Sequence, residues 1–376
     1  MDAWTLPRTR LGALIRSLRD RGYEVIGPSY RDGAIVLDRI ERDDDLPNGK
    51  RDVQGKGTYR VEDGEDARAF AFAVGPHSFK RWFHVPVERL YRVEREGKRL
   101  RFVPEPVTER KLALFGARGC DLAAMTVLDR VLLGDRYRDE RYAKRRSDVA
   151  VIAVHCDSPS DNCFCHSMGT GPRARGPWDL ALTELLDSRS HRFVVESGSA
   201  LGHALVRELG LESASILDRT RAAEVPIRAA RMLKKELKDA RDLPTRLGAA
   251  LESPKFDGLD SRCLSCANCT LACPTCFCTT IEDRTSLDGS SAERHRRLDS
   301  CFVGEHSYLH GGSVRQSTHS RYRQWLTHKL MTWVDQFGSS GCVGCGRCIT
   351  WCPVGIDLTE EARAVSESRS STHRLE

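Results

Sequence analysis

The chain has 376 residues, of which 40% are hydrophobic and 30% charged, and its formal net charge is +6. This balance is typical of a globular protein and argues against a disordered chain, and the small basic excess argues against a nucleic-acid binder. No segment approaches the roughly 18–20 apolar residues of a membrane helix, and the N-terminal sequence lacks the pattern of a secretory signal, so we expect a cytoplasmic protein without membrane insertion.

Residues 1–220 are predicted to form a domain of mixed α/β or α+β type. Apolar residues recur at helical spacing in Leu6–Arg21, and a turn at Arg31–Gly33 separates two predicted strands. The predicted strands are Tyr23–Tyr30, Ala34–Ile40, Thr58–Val61, Ala69–Val74, Lys111–Phe115, Val149–Val154 and Phe193–Glu196. The further predicted helices are Asp121–Leu133, Trp178–Leu186 and Ala200–Leu209.

Residues 221–362 are predicted to be an all-α domain. The pattern after about Arg221 is helical and highly charged, and Pro244 is expected to end one helix and start another. No strand is predicted beyond Glu196, and Thr279–Ser300 is interpreted as a loop or a surface helix. The polar residues 363–376 are predicted to be a disordered tail.

The fifteen cysteines are the unusual feature of the composition. They are absent from residues 1–119 and 166–262, and they cluster at short spacings elsewhere. A disulfide framework is typical of small secreted proteins, whereas this chain is large enough to bury a core without one. Clustered thiols in a reducing compartment indicate metal ligation or redox chemistry.

Two segments repeat the pattern C-x2-C-x2-C-x3-C-P, which is typical of bacterial [4Fe–4S] ferredoxins. In that pattern the fourth cysteine ligates the other cluster, and we expect it to begin a helix with proline in the first turn. The first predicted cluster is therefore held by Cys263, Cys266, Cys269 and Cys352. The second is held by Cys342, Cys345, Cys348 and Cys273.

Structural zinc is the alternative, but zinc sites use paired C-x2-C knuckles and four ligands, which fit a duplicated run of four cysteines poorly. The first cysteines of the two runs, Cys263 and Cys342, are 79 positions apart. A compact β-containing ferredoxin has no room for that separation, so an α-helical two-cluster ferredoxin domain is predicted.

Four cysteines of the N-terminal half follow predicted strands. If Lys111–Phe115 and Val149–Val154 are neighbours in a parallel sheet, the thiols of the cysteines that follow them meet at its carboxyl edge, where ligand sites commonly form. We hypothesise a third iron–sulfur cluster on Cys120, Cys156, Cys163 and Cys165. The alternative is that Cys120 and Cys156 are small buried hydrophobic residues.

The last three cysteines, Cys276, Cys278 and Cys301, have no ferredoxin spacing. Cys276 and Cys278 follow the first ferredoxin run directly. They either approach a cluster or pack beside it as reduced thiols. Cys301 stands alone in the sequence and is interpreted as a buried structural thiol. None of the three is assigned as a ligand.

Three motifs resemble one known family. They are Gly116–Ala124 (GARGCDLAA), Cys163–Pro172 (CFCHSMGTGP) and Cys273–Cys278 (CPTCFC). They look like the iron–sulfur β subunit of soluble, NAD(P)-linked [NiFe] hydrogenases, or sulfhydrogenases, and the corresponding iron–sulfur subunit of anaerobic sulfite reductases is similar. The resemblance runs from about Tyr23 to Thr359 and includes Gly75–Lys80 and Arg321–Lys329.

The resemblance implies an electron-transfer subunit of a multi-subunit oxidoreductase, without catalytic residues of its own. Its expected partners are a flavin-containing subunit that oxidises NAD(P)H and the catalytic and small subunits of a hydrogenase. The sulfite reductase complex is an alternative setting. A self-standing iron–sulfur reductase of a small substrate is a third interpretation, although the sequence shows no open coordination position.

Overall fold

The computed structural model describes residues 2–134 and 137–368. Its strands, numbered along the chain, are β1 (Ala3–Pro7), β2 (Glu24–Arg31), β3 (Ala34–Arg39), β4 (Lys50–Gly55), β5 (Thr58–Asp63), β6 (Val87–Glu96), β7 (Arg99–Pro104), β8 (Leu112–Ala117), β9 (Val149–Val154), β10 (Leu180–Leu186), β11 (His191–Ser197), β12 (Glu212–Ser213), β13 (Thr279–Thr285), β14 (Ser291–Leu298), β15 (Tyr308–Leu309) and β16 (Gly312–Ser313). The helices are α1 (Leu11–Asp20), α2 (Lys80–Phe83), α3 (Gly119–Leu132), α4 (Glu140–Arg146), α5 (Ala200–Glu208), α6 (Ile216–Met232), α7 (Leu243–Gly248), α8 (Asn268–Leu271), α9 (Thr318–Thr327), α10 (Trp333–Phe337), α11 (Arg347–Thr350) and α12 (Leu358–Glu367). A π-helical turn at His328–Thr332 joins α9 to α10.

An eight-stranded mixed sheet organises the N-terminal half, with strand order β12-β1-β11-β10-β9-β8-β2-β3. Its centre, β10-β9-β8-β2, is parallel, and the outer strands pair antiparallel. Strands β8 and β9 are buried along most of their length because helices cover both faces of the sheet. Helices α1 and α5 pack on one face, and α3 and α4 pack on the other.

The sequence prediction of an all-α second domain is not confirmed, because a β-hairpin lies between the two ferredoxin runs. Strands β13 and β14 form this hairpin, and β14 pairs with β6 of the N-terminal half. The resulting four-stranded sheet, β13-β14-β6-β7, crosses the domain boundary predicted at residue 221. Apart from this hairpin and the short strands β15 and β16, residues 221–368 form helices and irregular segments, with a separate core that contains residues of α7, α9 and α12.

Three local predictions are also wrong. The predicted helix Trp178–Leu186 is instead strand β10 over Leu180–Leu186. The prediction failed because periodicity cannot distinguish a helix from a strand in a short, continuously apolar run. The predicted strand Ala69–Val74 pairs with no strand, because its amides donate to side-chain carboxylates such as that of Glu184. Residues 363–367, assigned to the tail, belong to α12, where Val365 is buried; residues 369–376 lie outside the described residues.

No helix within the described ranges has the length and apolar character needed to cross a membrane.

The carboxylate of Glu88 joins the four-stranded sheet to α4. It accepts hydrogen bonds from three arginines, Arg141 (2.6 Å), Arg145 (2.7 Å) and Arg296 (2.9 Å). Burial alone would raise the pKa of Glu88, but the hydrogen bonds from these arginines outweigh burial and hold its pKa at about 2.

Because the folded pKa lies below the unfolded value, this contribution to stability is present above about pH 4.5 and is lost as the pH falls toward 2. We expect Glu88→Gln to lower the free energy of unfolding at pH 7 by about 3 kcal/mol and to flatten the decline of stability between about pH 5 and 2. Denaturant unfolding across this pH range measures both effects. The exposed control Glu109→Gln should leave the curve unchanged, and an equal change in both variants would refute the role of Glu88.

Candidate iron–sulfur sites

The two ferredoxin runs fold into loops of the same backbone shape. In each loop the second and fourth residues after the first cysteine have positive φ, at Ser265 (50°) and Ala267 (65°) in one loop and at Gly344 (65°) and Gly346 (76°) in the other. Each loop then enters a one-turn helix, α8 or α11, that carries the third cysteine of the run. The sequence repeat is therefore also a structural repeat.

The cysteines predicted for the first cluster, which we name thiol set 1, come together in the structure. They are Cys263, Cys266, Cys269 and Cys352, and all four line one hollow. The thiol of Cys269 is close enough to interact electrostatically with the other three. Tyr322 also lines the hollow, and its buried hydroxyl has no hydrogen-bond partner among the described residues. A buried hydroxyl without an acceptor can donate a hydrogen bond to an inorganic sulfide or to a ligating sulfur.

Thiol set 2 contains the cysteines predicted for the second cluster, and it also converges across the two runs. It consists of Cys342, Cys345, Cys348 and Cys273, and the thiol of Cys348 interacts with the other three. Cys348 also interacts with Cys269, so thiol sets 1 and 2 are adjacent. The fold therefore brings the fourth cysteine of each run next to the first three cysteines of the other run.

The expectation that the fourth cysteine begins a helix is wrong in both runs. Cys352 is followed by a turn in which the amide of Gly355 donates to its carbonyl oxygen at 3.0 Å, and α12 begins only at Leu358. Cys273 leads through an irregular segment into β13. The prolines after both cysteines therefore lie in non-helical chain.

Backbone amides donate hydrogen bonds to sulfurs in both sets. The amides of Gly344, Thr275 and Ile356 donate to Cys342 (3.4 Å), Cys273 (3.4 Å) and Cys352 (3.3 Å). Hydrogen bonds to ligating sulfur raise the potential of an iron–sulfur cluster.

Thiol set 3, consisting of Cys120, Cys156, Cys163 and Cys165, lies at the carboxyl edge of the large sheet. Strands β8 and β9 are parallel neighbours, as the sequence prediction required, and Cys120 and Cys156 follow them. Cys165 interacts with Cys163 and Cys156, and Cys120 interacts with Cys165. Burial raises the pKa of Cys156 to about 11 and that of Cys163 to about 12, so these thiols stay neutral unless a metal centre favours the thiolates.

Thiol set 3 lies against the loop of thiol set 2. The amide of Phe164 donates to the carbonyl of Gly344 at 2.8 Å. A Cβ atom on Gly344 would lie 2.7 Å from the backbone of Cys165, and one on Gly346 would lie 2.6 Å from the carbonyl oxygen of Asn162. Glycine is required at these two positions for this close approach as well as for the positive φ.

Two buried lysines next to Cys273 are functional candidates that sequence reasoning missed. The Lys329 ammonium lies 3.3 Å from the Cys273 sulfur, and the Lys80 ammonium donates to the Cys273 carbonyl at 2.8 Å. A hydrogen bond from Cys276, together with these lysines, lowers the pKa of Cys273, so the thiolate is favoured there. Both lysines lie in segments that contribute to the family resemblance, but nothing in their local sequence indicated burial beside a cysteine.

The cysteines of the chain are free thiols. All fifteen cysteines are described, and none is paired in a disulfide. Among the described residues, no three His, Cys, Asp or Glu side chains are placed to hold one metal ion.

These features define the chain as an iron–sulfur protein of the ferredoxin type. Residues 262–356 match the family described as "4Fe-4S dicluster domain". The chain is also 31% identical over 322 residues to "Sulfhydrogenase 2 subunit beta" of Pyrococcus furiosus, and the match covers 84% of this chain and 91% of that relative.

The chain therefore belongs to the sulfhydrogenase beta-subunit family, and it is an iron–sulfur electron-transfer protein. No solved structure matches it.

Proposed function

We propose that this protein is the electron-relay subunit of a cytoplasmic, NAD(P)-linked [NiFe] hydrogenase. Its partners would be a flavin subunit that handles NAD(P)H and the hydrogenase catalytic and small subunits. The observation that carries the proposal is the adjacency of the three thiol sets, because a relay needs redox centres close to one another. The family relationship and the fifteen free cysteines, which suit a reducing compartment, support it.

The cofactor assignment within this proposal follows the geometry of the thiols. Thiol sets 1 and 2 would each hold a [4Fe–4S] cluster with cross-ligation between the runs, and thiol set 3 would hold a third cluster. Such clusters accept and donate single electrons. The chain's own residues bury the thiols, donate amide hydrogen bonds to sulfur and place positive charge beside them, and these effects set the potentials.

Lys329 should raise the potential of the centre held by thiol set 2. Its buried positive charge beside the Cys273 sulfur stabilises the reduced, more negative state. We expect Lys329→Met to lower the midpoint potential of that centre by on the order of 100 mV, as measured by redox titration followed by electron paramagnetic resonance (EPR). The exposed control Lys98→Met should shift no potential, and a potential unchanged in Lys329→Met would contradict the assignment.

The proposed function is tested by purifying the native complex through a tag on this chain, under anaerobic conditions. The proposal predicts copurification of a flavin subunit together with a nickel-containing one, and hydrogen-dependent reduction of NAD(P). A sirohaem-containing partner would instead place the chain in a sulfite reductase complex. Reduction of a small substrate by the isolated chain would overturn the relay role.

A further inference from the structure

The three cysteines without ferredoxin spacing meet in one hollow of the structure. Cys276, Cys278 and Cys301, which we name thiol set 4, line it together with His306. The interpretation of Cys301 as a solitary structural thiol is therefore incomplete, because the fold brings it to the other two. The hollow is separate from the one that thiol set 1 lines.

The β13–β14 hairpin fixes this arrangement. Cys278 immediately precedes β13, and Cys301 lies three residues beyond the end of β14. The first residue of β13 pairs with the last residue of β14, and the amide of Asp299 donates to the Cys278 carbonyl at 2.9 Å. The antiparallel ladder thus holds the two chain segments side by side, and the thiols of Cys278 and Cys301 interact electrostatically.

His306 has the hydrogen-bond arrangement that is typical of a metal-ligating histidine. Its Nδ1 lies 2.5 Å from a carboxylate oxygen of Asp299, and its ring interacts with the nearby Cys278 thiol. A carboxylate that accepts from one ring nitrogen orients the imidazole and leaves the other nitrogen for a metal. A cysteine that is only packed as a small hydrophobic residue does not require an oriented histidine beside its thiol.

Two indole groups at the same hollow also lack acceptors. Trp325 and Trp333 both line it, and each is more than nine-tenths buried. Neither indole N–H has an acceptor among the described residues. An unpaired buried donor is destabilising, and inorganic sulfide is an acceptor that would remove this cost.

We propose that Cys276, Cys278, Cys301 and His306 hold an additional iron–sulfur cluster. This centre rests on the relay function proposed above and extends it. The Cys276 thiol interacts with that of Cys273 in thiol set 2, and Cys301 interacts with Cys269 of thiol set 1. The centre therefore lies beside both ferredoxin centres and gives electrons a further route between them and the surface around His306.

The test compares the iron-loaded full chain with the double variant Cys278→Ala/Cys301→Ala. We expect the variant to lose about four iron atoms and about four acid-labile sulfides per chain and to keep the EPR signals of the other centres. The matched control Phe277→Leu changes the same hollow without removing a thiol and should keep the wild-type iron content. Unchanged iron in the folded double variant, or loss of one zinc ion instead, would overturn the proposal.

A second measurement uses the wild-type protein and does not depend on the stability of the variant. Cys278 and Cys301 should resist alkylation in the folded, iron-loaded chain and react after chelation of the iron, as read by mass spectrometry. Equal reactivity of both cysteines before and after iron removal would refute the site. Because both readouts report ligation rather than electron flow, failure of the relay function would leave them unchanged.

Discussion

Replacing Cys266 with alanine is expected to remove one cluster and to stop electron flow through the chain. Cys266 is the one exposed cysteine of the fifteen, so its loss leaves the packing of the core intact. In the proposed cluster, the remaining three thiols of set 1 would leave one iron without a protein ligand. We expect the purified variant to lack about four iron atoms per chain and hydrogen-dependent NAD(P) reduction by the complex to fall to the background rate.

The neighbouring exposed residue Leu264 provides the control, because it lines the same hollow and cannot ligate iron. Leu264→Ala should keep the wild-type iron content and rate. A Cys266→Ala complex that has lost the iron but turns over at the wild-type rate would show that thiol set 1 is not on the electron path.

Replacing Asp121 with asparagine is expected to destabilise the junction between the two halves by about 3–5 kcal/mol. Asp121 lies in the first turn of α3 and accepts a hydrogen bond at 2.9 Å from Arg347, which follows Gly346 in the loop of thiol set 2. The two side chains are 5% and 1% exposed, so the change removes the carboxylate partner of a buried guanidinium. Denaturant unfolding of the anaerobic, iron-loaded protein measures the loss.

An exposed ion pair gives the comparison for this prediction. Asp283 and Arg294 pair across the β13–β14 hairpin at 2.6 Å, with side chains 57% and 41% exposed. Asp283→Asn should cost no more than about 1 kcal/mol. If Asp121→Asn costs no more than Asp283→Asn, the buried pair does not hold the two halves together.

The parts of the fold that were predictable from sequence depend on local patterns. Buried parallel strands such as Val149–Val154 are recognisable as apolar runs, and the ferredoxin runs have a spacing that only a few cofactors satisfy. The β13–β14 hairpin was missed because its residues are mostly polar or charged and show no apolar alternation. Its strands are stabilised by cross-strand ion pairs and by pairing with β6, about 200 residues earlier in the chain.

The candidate sites also include parts that local sequence predicted and parts that it did not. The cross-ligation scheme and thiol set 3 followed from cysteine spacing and from the expected position of two strands. Lys329 and thiol set 4 were not predictable, because what matters is their distance from residues far away in sequence. Cys301 is 23 positions from Cys278, and only the missed hairpin brings the two together.

The passage of electrons through this chain is tested most directly by freeze-quench EPR of the intact complex. Hydrogen or NAD(P)H is mixed with the oxidised complex, and the signals lost in Cys266→Ala and shifted in Lys329→Met identify the centres of this chain. We predict that these signals appear at least as fast as the complex turns over. Signals that appear much more slowly than turnover, or not at all, would contradict the relay function.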